Sequence, residues 1–274
     1  MAIVTISRQV GSLGEEIARE LSAVTGYRLA GVGEFRETAS RYDPEFAEKL
    51  RRFEQEEGPG FFERLFFSTP VYLSLYEAVV LELASQHRVI IMGRGAQVVL
   101  RDVRQVYRVR VVAPMHQRVL HMRQVHGMST DEALEYIRKH DHRREGLVRQ
   151  VYVQDPQDWT LYDMILNTGR LDASAGAAIV RKAMDEVIRV QPMEETVESL
   201  KAQALGKRVE ARLRRQVNPT RDIEVRGEIG GVVTLTGRLP SEDDRRAAIK
   251  IAQSFDGVTK VVDDLKYSVF GYGY

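Results

Sequence analysis

Three residues near the start of the chain, Gly11, Ser12 and Gly14, have the types and spacing to hold an anion. They follow an apolar, β-branched run (Ile3, Val4, Ile6) that reads as a short buried strand. They precede Ile17, Leu21 and Val24 at helical spacing, with Gly26 as a stop. Strand, glycine loop and helix start together aim backbone N–H groups at a phosphate. A working phosphate loop then needs a lysine for the outer phosphates and a Ser or Thr hydroxyl for Mg²⁺, directly after the last glycine. Glu15 and Glu16 stand there instead. At about 4 Å and an effective dielectric near 20, a unit charge is worth about 4 kcal/mol, so a carboxylate in the lysine's place reverses a favourable interaction. It also sits on the positive helix end that a phosphate would otherwise occupy. The same residues make an ordinary strand–turn–helix with a charged first turn equally well.

Arginines recur where a phosphate would need them. Arg94 lies between Gly93 and Gly95 at the end of an apolar run, Val89 to Met92. Ligands of open parallel sheets sit at the carboxyl ends of strands, and a planar guanidinium there can reach a phosphate. As the plainer alternative, the glycines are punctuation and Arg94 is a surface charge. Asp141-His142-Arg143-Arg144, with Arg149 beyond, suits a transferring phosphoryl group or a solvated charged face. Arg8, Arg143 and Arg149 are the candidates to replace the absent lysine. His116, His121 and His126 are five apart, which scatters them around a helix, so no metal site is expected. Phe61, Phe62, Phe66 and Phe67 form an aromatic cluster suited to core or lid packing, or to stacking on a base.

The 274 residues suffice for one large domain and a smaller one, or two of moderate size. With 40 basic and 39 acidic residues the net charge is +1, so bulk electrostatics favours neither nucleic acid nor an anionic membrane. The chain has no cysteine, which excludes disulfides, thiol catalysis and cysteine-ligated zinc, and fits a reducing cytoplasm. The N-terminus does not read as a signal peptide, and no apolar run reaches membrane-spanning length.

The positioning elements follow from periodicity. Residues 35–58 read as charged helices, Gly58-Pro59-Gly60 as a break, and Pro70 as the start of a helix with Tyr72, Leu75, Tyr76, Val79, Val80 and Leu83 on one side. Further strands fall at 106–112 and 164–167. Pro114 opens a helix, Ser129 to Glu132 is a capping box for another running to about Lys139, and 173–190 is a helix with Ala177, Val180, Ala183 and Val187 inward. Strands alternating with helices predict a parallel α/β sheet. After a polar linker at 191–199, the order becomes α-β-β-α-β. A helix over Thr196–Val217 buries Leu200, Ala204, Val209 and Leu213. A hairpin turns at Gly230-Gly231, Ser241 caps a helix with Asp244 at its third position, and a last strand covers 261–269.

The opening Ile6-Ser7-Arg8-Gln9-Val10-Gly11-Ser12-x-Gly14 resembles the cytidylate kinase-like family of P-loop nucleoside monophosphate kinases. So do Val89 to Ala96, Val109 to Pro114, Asp141 with Arg144, and Tyr162 to Thr168, in the right serial order across about residues 1–190. The resemblance implies a P-loop kinase-like parallel sheet flanked by helices, and phosphoryl transfer from ATP to CMP or dCMP with Mg²⁺. Carried over, Arg8, Gly11, Ser12 and Gly14 belong to the ATP phosphate loop, Arg94 and Asp141 to the acceptor nucleotide, and Arg143 and Arg144 to the transferring phosphoryl group. Positioning and charge stabilisation carry the rate in such enzymes. The sequence departs from the family where Leu13 replaces a glycine and Glu15 a basic residue. The alternative is a catalytically inactive nucleotide-sensing or scaffold protein.

Gly231-x-Val233-x-Leu235-x-Gly237, then Ser241, Arg245, Ala248, Ala252, Gly257, Val258 and Val261, resemble the BON domain over about residues 200–269. That family is a small α+β interaction module associated with phospholipid or ligand binding. It implies a protein or ligand partner for this half, or a docking and oligomerisation role. The expectation is a cytoplasmic protein whose partners are nucleotides, with no nucleic acid and no membrane.

Overall fold

The computed structural model describes residues 3–55, 70–187, 193–217 and 222–267. They divide into two compact units. One holds residues 3–35, 86–187 and Met193; the other holds 36–55, 70–85, 194–217 and 222–267. The segments 36–55 and 70–85, interposed between the second and third strands, therefore group with the C-terminal half.

The first unit is built on five strands: β1 (Ile3–Arg8), β2 (Arg28–Ala30), β3 (Val89–Met92), β4 (Val106–Val112) and β5 (Met164–Asn167). Their order is β2-β3-β1-β4-β5, and every pairing is parallel. β1 is central, so Ile3 pairs with both Val89 and Val106, and Ile3, Val4, Thr5 and Ile6 are all buried. A strand covered on both faces needs such an unbroken apolar run. Helix α1 (Gly14–Thr25) lays Ile17, Ala18 and Leu21 on this sheet. Beside it, α8 (Ala173–Val187) contributes Ala177, Val180 and Met184. The two helices touch closely: a Cβ at Gly176 would fall 2.7 Å from Ile17 Cδ1.

Between β2 and β5 run α2 (Val32–Tyr42), α3 (Pro44–Gln55), α4 (Pro70–Ser85), a one-turn α5 (Ala96–Val99), α6 (Met115–His126) and α7 (Thr130–Gly146). The Ser129 capping box forms, its N–H bonded to Glu132 Oε2 at 2.8 Å. Helix α7 runs past Lys139 because no Gly or Pro intervenes before Gly146, and a π-turn (Leu147–Val151) follows. Asp141, Arg143 and Arg144 therefore lie on the helix itself. Two expected core positions are corrected: Val24 and Val187 are 47% and 60% exposed, and Ala18 and Met184 fill the stripe instead. Val187 is the last helical residue, where the apolar stripe outruns the core. The Gly58-Pro59-Gly60 break and the Phe61, Phe62, Phe66 and Phe67 cluster lie outside the described residues.

In the second unit, α9 (Met193–Gln216) and α10 (Glu242–Gln253) cover a three-stranded sheet of β6 (Glu224–Glu228), β7 (Val232–Leu239) and β8 (Lys260–Tyr267). β6 and β7 form the antiparallel hairpin, and β8 pairs parallel to β7. Leu200, Ala204, Val209 and Leu213 are buried, and Ser241 Oγ accepts the Asp244 N–H. Helix α4 is buried all round rather than on one side, with Val71, Ser74, Ala78, Leu81 and Ala84 also inside. It shares with α9 a buried polar network. Glu210, 1% exposed, accepts from Ser74 Oγ at 2.8 Å and the Val225 N–H at 3.0 Å, and pairs with Arg214 at 3.0 Å. Arg214 also donates to the Ile223 carbonyl at 3.3 Å. These contacts occupy the Val225 N–H of β6 and the carbonyl just before the strand, on an edge open to pairing with another strand. α9 passes so near that a Cβ at Gly227 would fall 1.8 Å from the Ala202 carbonyl oxygen. Among the described residues no helix is long and apolar enough to cross a membrane.

Removing the Glu210 carboxylate leaves Arg214 buried without its counter-charge, a change that costs about 3–5 kcal/mol. Glu210→Ala should lower the unfolding free energy of the second unit by that amount, read from urea titrations followed by circular dichroism. Gly227→Ala should do at least as much, because the added methyl group meets backbone and not a flexible side chain.

Candidate phosphate-binding site

β1 delivers the chain to the carboxyl edge of the sheet, where the Gln9 N–H continues the ladder to Val111 at 3.1 Å. The backbone then turns through Gly11 at φ 73° and Leu13 at φ 63°, and α1 begins at Gly14. Leu13 caps the helix without any side-chain hydrogen bond, so the N–H groups of Gly14, Glu15 and Glu16 have no acceptor within the helix. Gly11 is required twice over: its φ is left-handed, and a Cβ would fall 2.8 Å from the Arg118 carbonyl oxygen. Gly14 is required for a different reason. A Cβ there would fall 2.5 Å from Cβ of Arg8, so its absence lets the Arg8 side chain pass. Leu13 packs against the core cluster of the sheet, which turns its bulk inward.

Ser12 is also turned inward. Its Oγ lies 2.9 Å from the Gln9 carbonyl and 3.1 Å from the Val111 carbonyl, and its own carbonyl accepts from Thr168 Oγ1 at 2.8 Å. Its hydroxyl pins the loop to β4 and leaves only its backbone for an anion. Glu16 faces His121 at 3.2 Å. The loop thus offers Mg²⁺ no free hydroxyl ligand, and its two carboxylates are already engaged; the donor set does not fit a protein-held Mg²⁺. Among the described residues no three His, Asp or Glu side chains gather as a metal-binding group.

The charge comes from outside the loop. Arg8 donates to Glu15 Oε1 at 2.9 Å, and Arg144 reaches the same oxygen at 3.2 Å from α7. The Arg8 guanidinium lies against the turn after β3, where a Cβ on Gly93 would fall 2.8 Å from its Nη1. Arg94 follows in a left-handed conformation, φ 64°, with its guanidinium 5.3 Å from the Phe35 ring centre. Burial, together with Arg144 and Arg94, pushes the Arg8 pKa down to about 10 against the pull of Glu15. Burial alone would raise the Glu15 carboxyl, but Arg8, Arg144 and Arg19 outweigh it and hold it below the ordinary range.

The structure thus brings Arg8, Arg94 and Arg144 to the edge where Gly11, Ser12 and Gly14 turn. Arg143 is half-buried one residue before Arg144. Arg149 is engaged elsewhere, with Glu145 and Asp155 each at 3.5 Å. Asp141 is committed to the loop: Oδ1 accepts the Val10 N–H at 2.8 Å, and Oδ2 pairs with Arg118. Arg118 in turn donates from Nε to the Val10 carbonyl at 2.7 Å. Sequence reasoning missed Arg118, whose only local signal is a basic residue in the first turns of a Pro-started helix.

The model of the cytidylate kinase-like family matches residues 3–170, and that of the BON domain matches residues 202–268. No curated protein matches the chain. Among solved structures, an uncharacterized protein from Eubacterium ventriosum ATCC 27560 is 20% identical, with a TM-score of 0.54, covering 68% of this chain and 98% of that one. That likeness is one of fold. Shikimate kinase from Acinetobacter baumannii in complex with shikimate is 12% identical over 70% of this chain and 96% of that one, at a TM-score of 0.39 too low to bear on the reading. With the family match spanning more than half of its length, the chain belongs to the cytidylate kinase-like family and carries a BON domain behind it.

Proposed function

We propose that the protein binds ATP through the turn over residues 9–14 and transfers its terminal phosphoryl group to CMP, dCMP or a related nucleoside monophosphate. The observation that carries the reading is the convergence of Arg8 and Arg144 on one oxygen of Glu15, beside helix N–H groups that have no internal acceptor. Arg8 takes the place of the lysine, approaching from the strand end instead of the helix. The amides of Gly11 to Glu16 hold the donor phosphates. Arg94, at the mouth of β3, binds the acceptor's phosphate. Arg144, with Arg143 beside it, stabilises the charge spread over the transferring group. An acceptor phosphate oxygen bonds to the terminal phosphorus as the bond to the bridging oxygen breaks, leaving ADP and a nucleoside diphosphate. Any Mg²⁺ arrives on the nucleotide's own phosphates. The absence of cysteine supports a cytoplasmic setting. A partner of the BON domain is a protein or a small ligand.

A second reading is favoured by two features: Glu15 already pairs with both guanidinium groups, and Ser12 Oγ is spent on carbonyls. In that reading the chain senses a nucleotide without turning it over, and signals through the BON domain.

Purified protein with ATP, Mg²⁺ and CMP should form ADP above an Arg94→Ala control; ATP binding without ADP would select the second reading. A hydrogen bond to a charged group contributes about 1.5–3 kcal/mol, so Arg8→Ala should weaken ATP about 10- to 100-fold by calorimetry. Glu15→Gln should tighten ATP by about 3- to 10-fold, since it removes a negative charge from the anion's surroundings. Because the Glu15 carboxyl is held below its ordinary range, its contribution to stability is complete above that range and is lost as pH falls through the lowered value. The melting temperatures of wild type and Glu15→Gln should therefore differ at neutral pH and converge as the pH is taken down through that lowered value.

A further inference from the structure

We infer that Asp141 and Arg118 are positioning residues which clasp the peptide groups at Val10, fixing the anion loop to the helix that carries Arg144, and that Asp141 lies outside the acceptor site. This rests on the reading of the loop as an ATP phosphate cradle.

Both polar groups of Val10 are taken by side chains from other elements: its N–H by Asp141 Oδ1 at 2.8 Å, its carbonyl by Arg118 Nε at 2.7 Å. Arg118 and Asp141 then pair with each other, closing a ring of three contacts. The arginine side chain is 4% exposed and that of Asp141 18%, so the ring is shielded from water and its bonds are correspondingly strong. The Val10 side chain is itself buried, in a cluster with Val119 and Met122 of α6 and Ala133 and Ile137 of α7. Gly11 completes the fit by leaving no Cβ to strike the Arg118 backbone.

An acceptor nucleotide would find little of Asp141 left to bind. One oxygen is spent on the loop amide and the other on a buried guanidinium. What Asp141 can do is transmit position. Arg144 stands three residues further along α7, on the same side of the helix, and reaches Glu15 at 3.2 Å. A displacement of Asp141 therefore moves both the loop amides and the arginine that faces them. The clasp affects the donor, and the acceptor only through it.

The test uses the full chain with Asp141→Asn, Arg118→Met and the double variant, titrated separately with ATP and with CMP. Each single variant should weaken ATP at least ~10-fold while CMP stays within about twofold, and the double variant should be no worse than the weaker single one, as expected for a single coupled unit. Loss of CMP affinity with ATP unchanged would overturn the inference and return Asp141 to the acceptor. Additive losses would overturn the clasp. Amide hydrogen exchange needs no ligand: the Val10 N–H should be protected in wild type and exposed in Asp141→Ala, which lacks the acceptor oxygen that asparagine would keep, with helix Met115–His126 unchanged. Unaltered protection at Val10 would refute the clasp even where ATP binds. Wild-type protein that binds neither nucleotide, yet shows that exchange pattern, would instead refute the ATP reading and leave the clasp standing.

Discussion

Glu15 holds two guanidinium groups on one carboxylate oxygen, and the arrangement of the site depends on that contact. Two arginines brought together near a partly desolvated sheet edge repel by about 4 kcal/mol at 4 Å and an effective dielectric near 20. The positive end of α1 adds to the excess. A carboxylate in the helix's first turn offsets both, which is why Glu15 is compatible with the fold even though it stands in the lysine's place. A lysine on the helix would bring its charge with the loop in a few consecutive residues. Here the guanidinium groups beside the turn come from the end of β1, the turn after β3 and the far end of α7.

The parallel sheet makes that assembly possible. β1 lies between β3 and β4, so the turns that leave β1 and β3 emerge side by side at one edge. Gly93 hands its amide to Ile6 at 2.9 Å and leaves space above itself for the Arg8 guanidinium. On the other flank, Val111 and Val112 at the end of β4 collect the Gln9 amide and the hydroxyls of Ser12 and Thr168. Strand order thus decides which side chains can meet. Arg8 and Arg94 are far apart in sequence, yet they belong to neighbouring strand ends.

The elements with strong local signals were legible: the apolar strands, the glycine turn, the Ser129 and Ser241 caps, and the Gly230-Gly231 hairpin. Each is encoded within a few residues. The direction in which Ser12 points was not, because its acceptor at Val111 lies across the sheet, and a serine beside a glycine is as consistent with a phosphate ligand as with an internal pin. Arg118 was hidden for a similar reason: its carbonyl partner is more than a hundred positions away, and an arginine near a helix start normally reads as solvated. The three-residue β2 is too short to carry a period. Val24 and Val187 were misplaced because an apolar stripe is read from spacing alone, and spacing cannot tell where the covering element ends.

Helix α4 carries the same lesson into the second unit. Its apolar residues extend round the whole circumference, and a helix of that kind cannot rest on one surface. Within its unit, α9 supplies cover on a side that would otherwise be wet, and the polar residues α4 brings, Ser74 and Glu77, are met there by Glu210, Arg214 and Lys207. The BON-type sheet shares the same contacts, because Glu210 also holds the Val225 N–H of β6 and Arg214 the Ile223 carbonyl before it. One buried carboxylate therefore serves a helix from the first third of the chain and a strand from its last fifth. The segments 36–55 and 70–85 thus belong to that unit although they precede β3 in the chain.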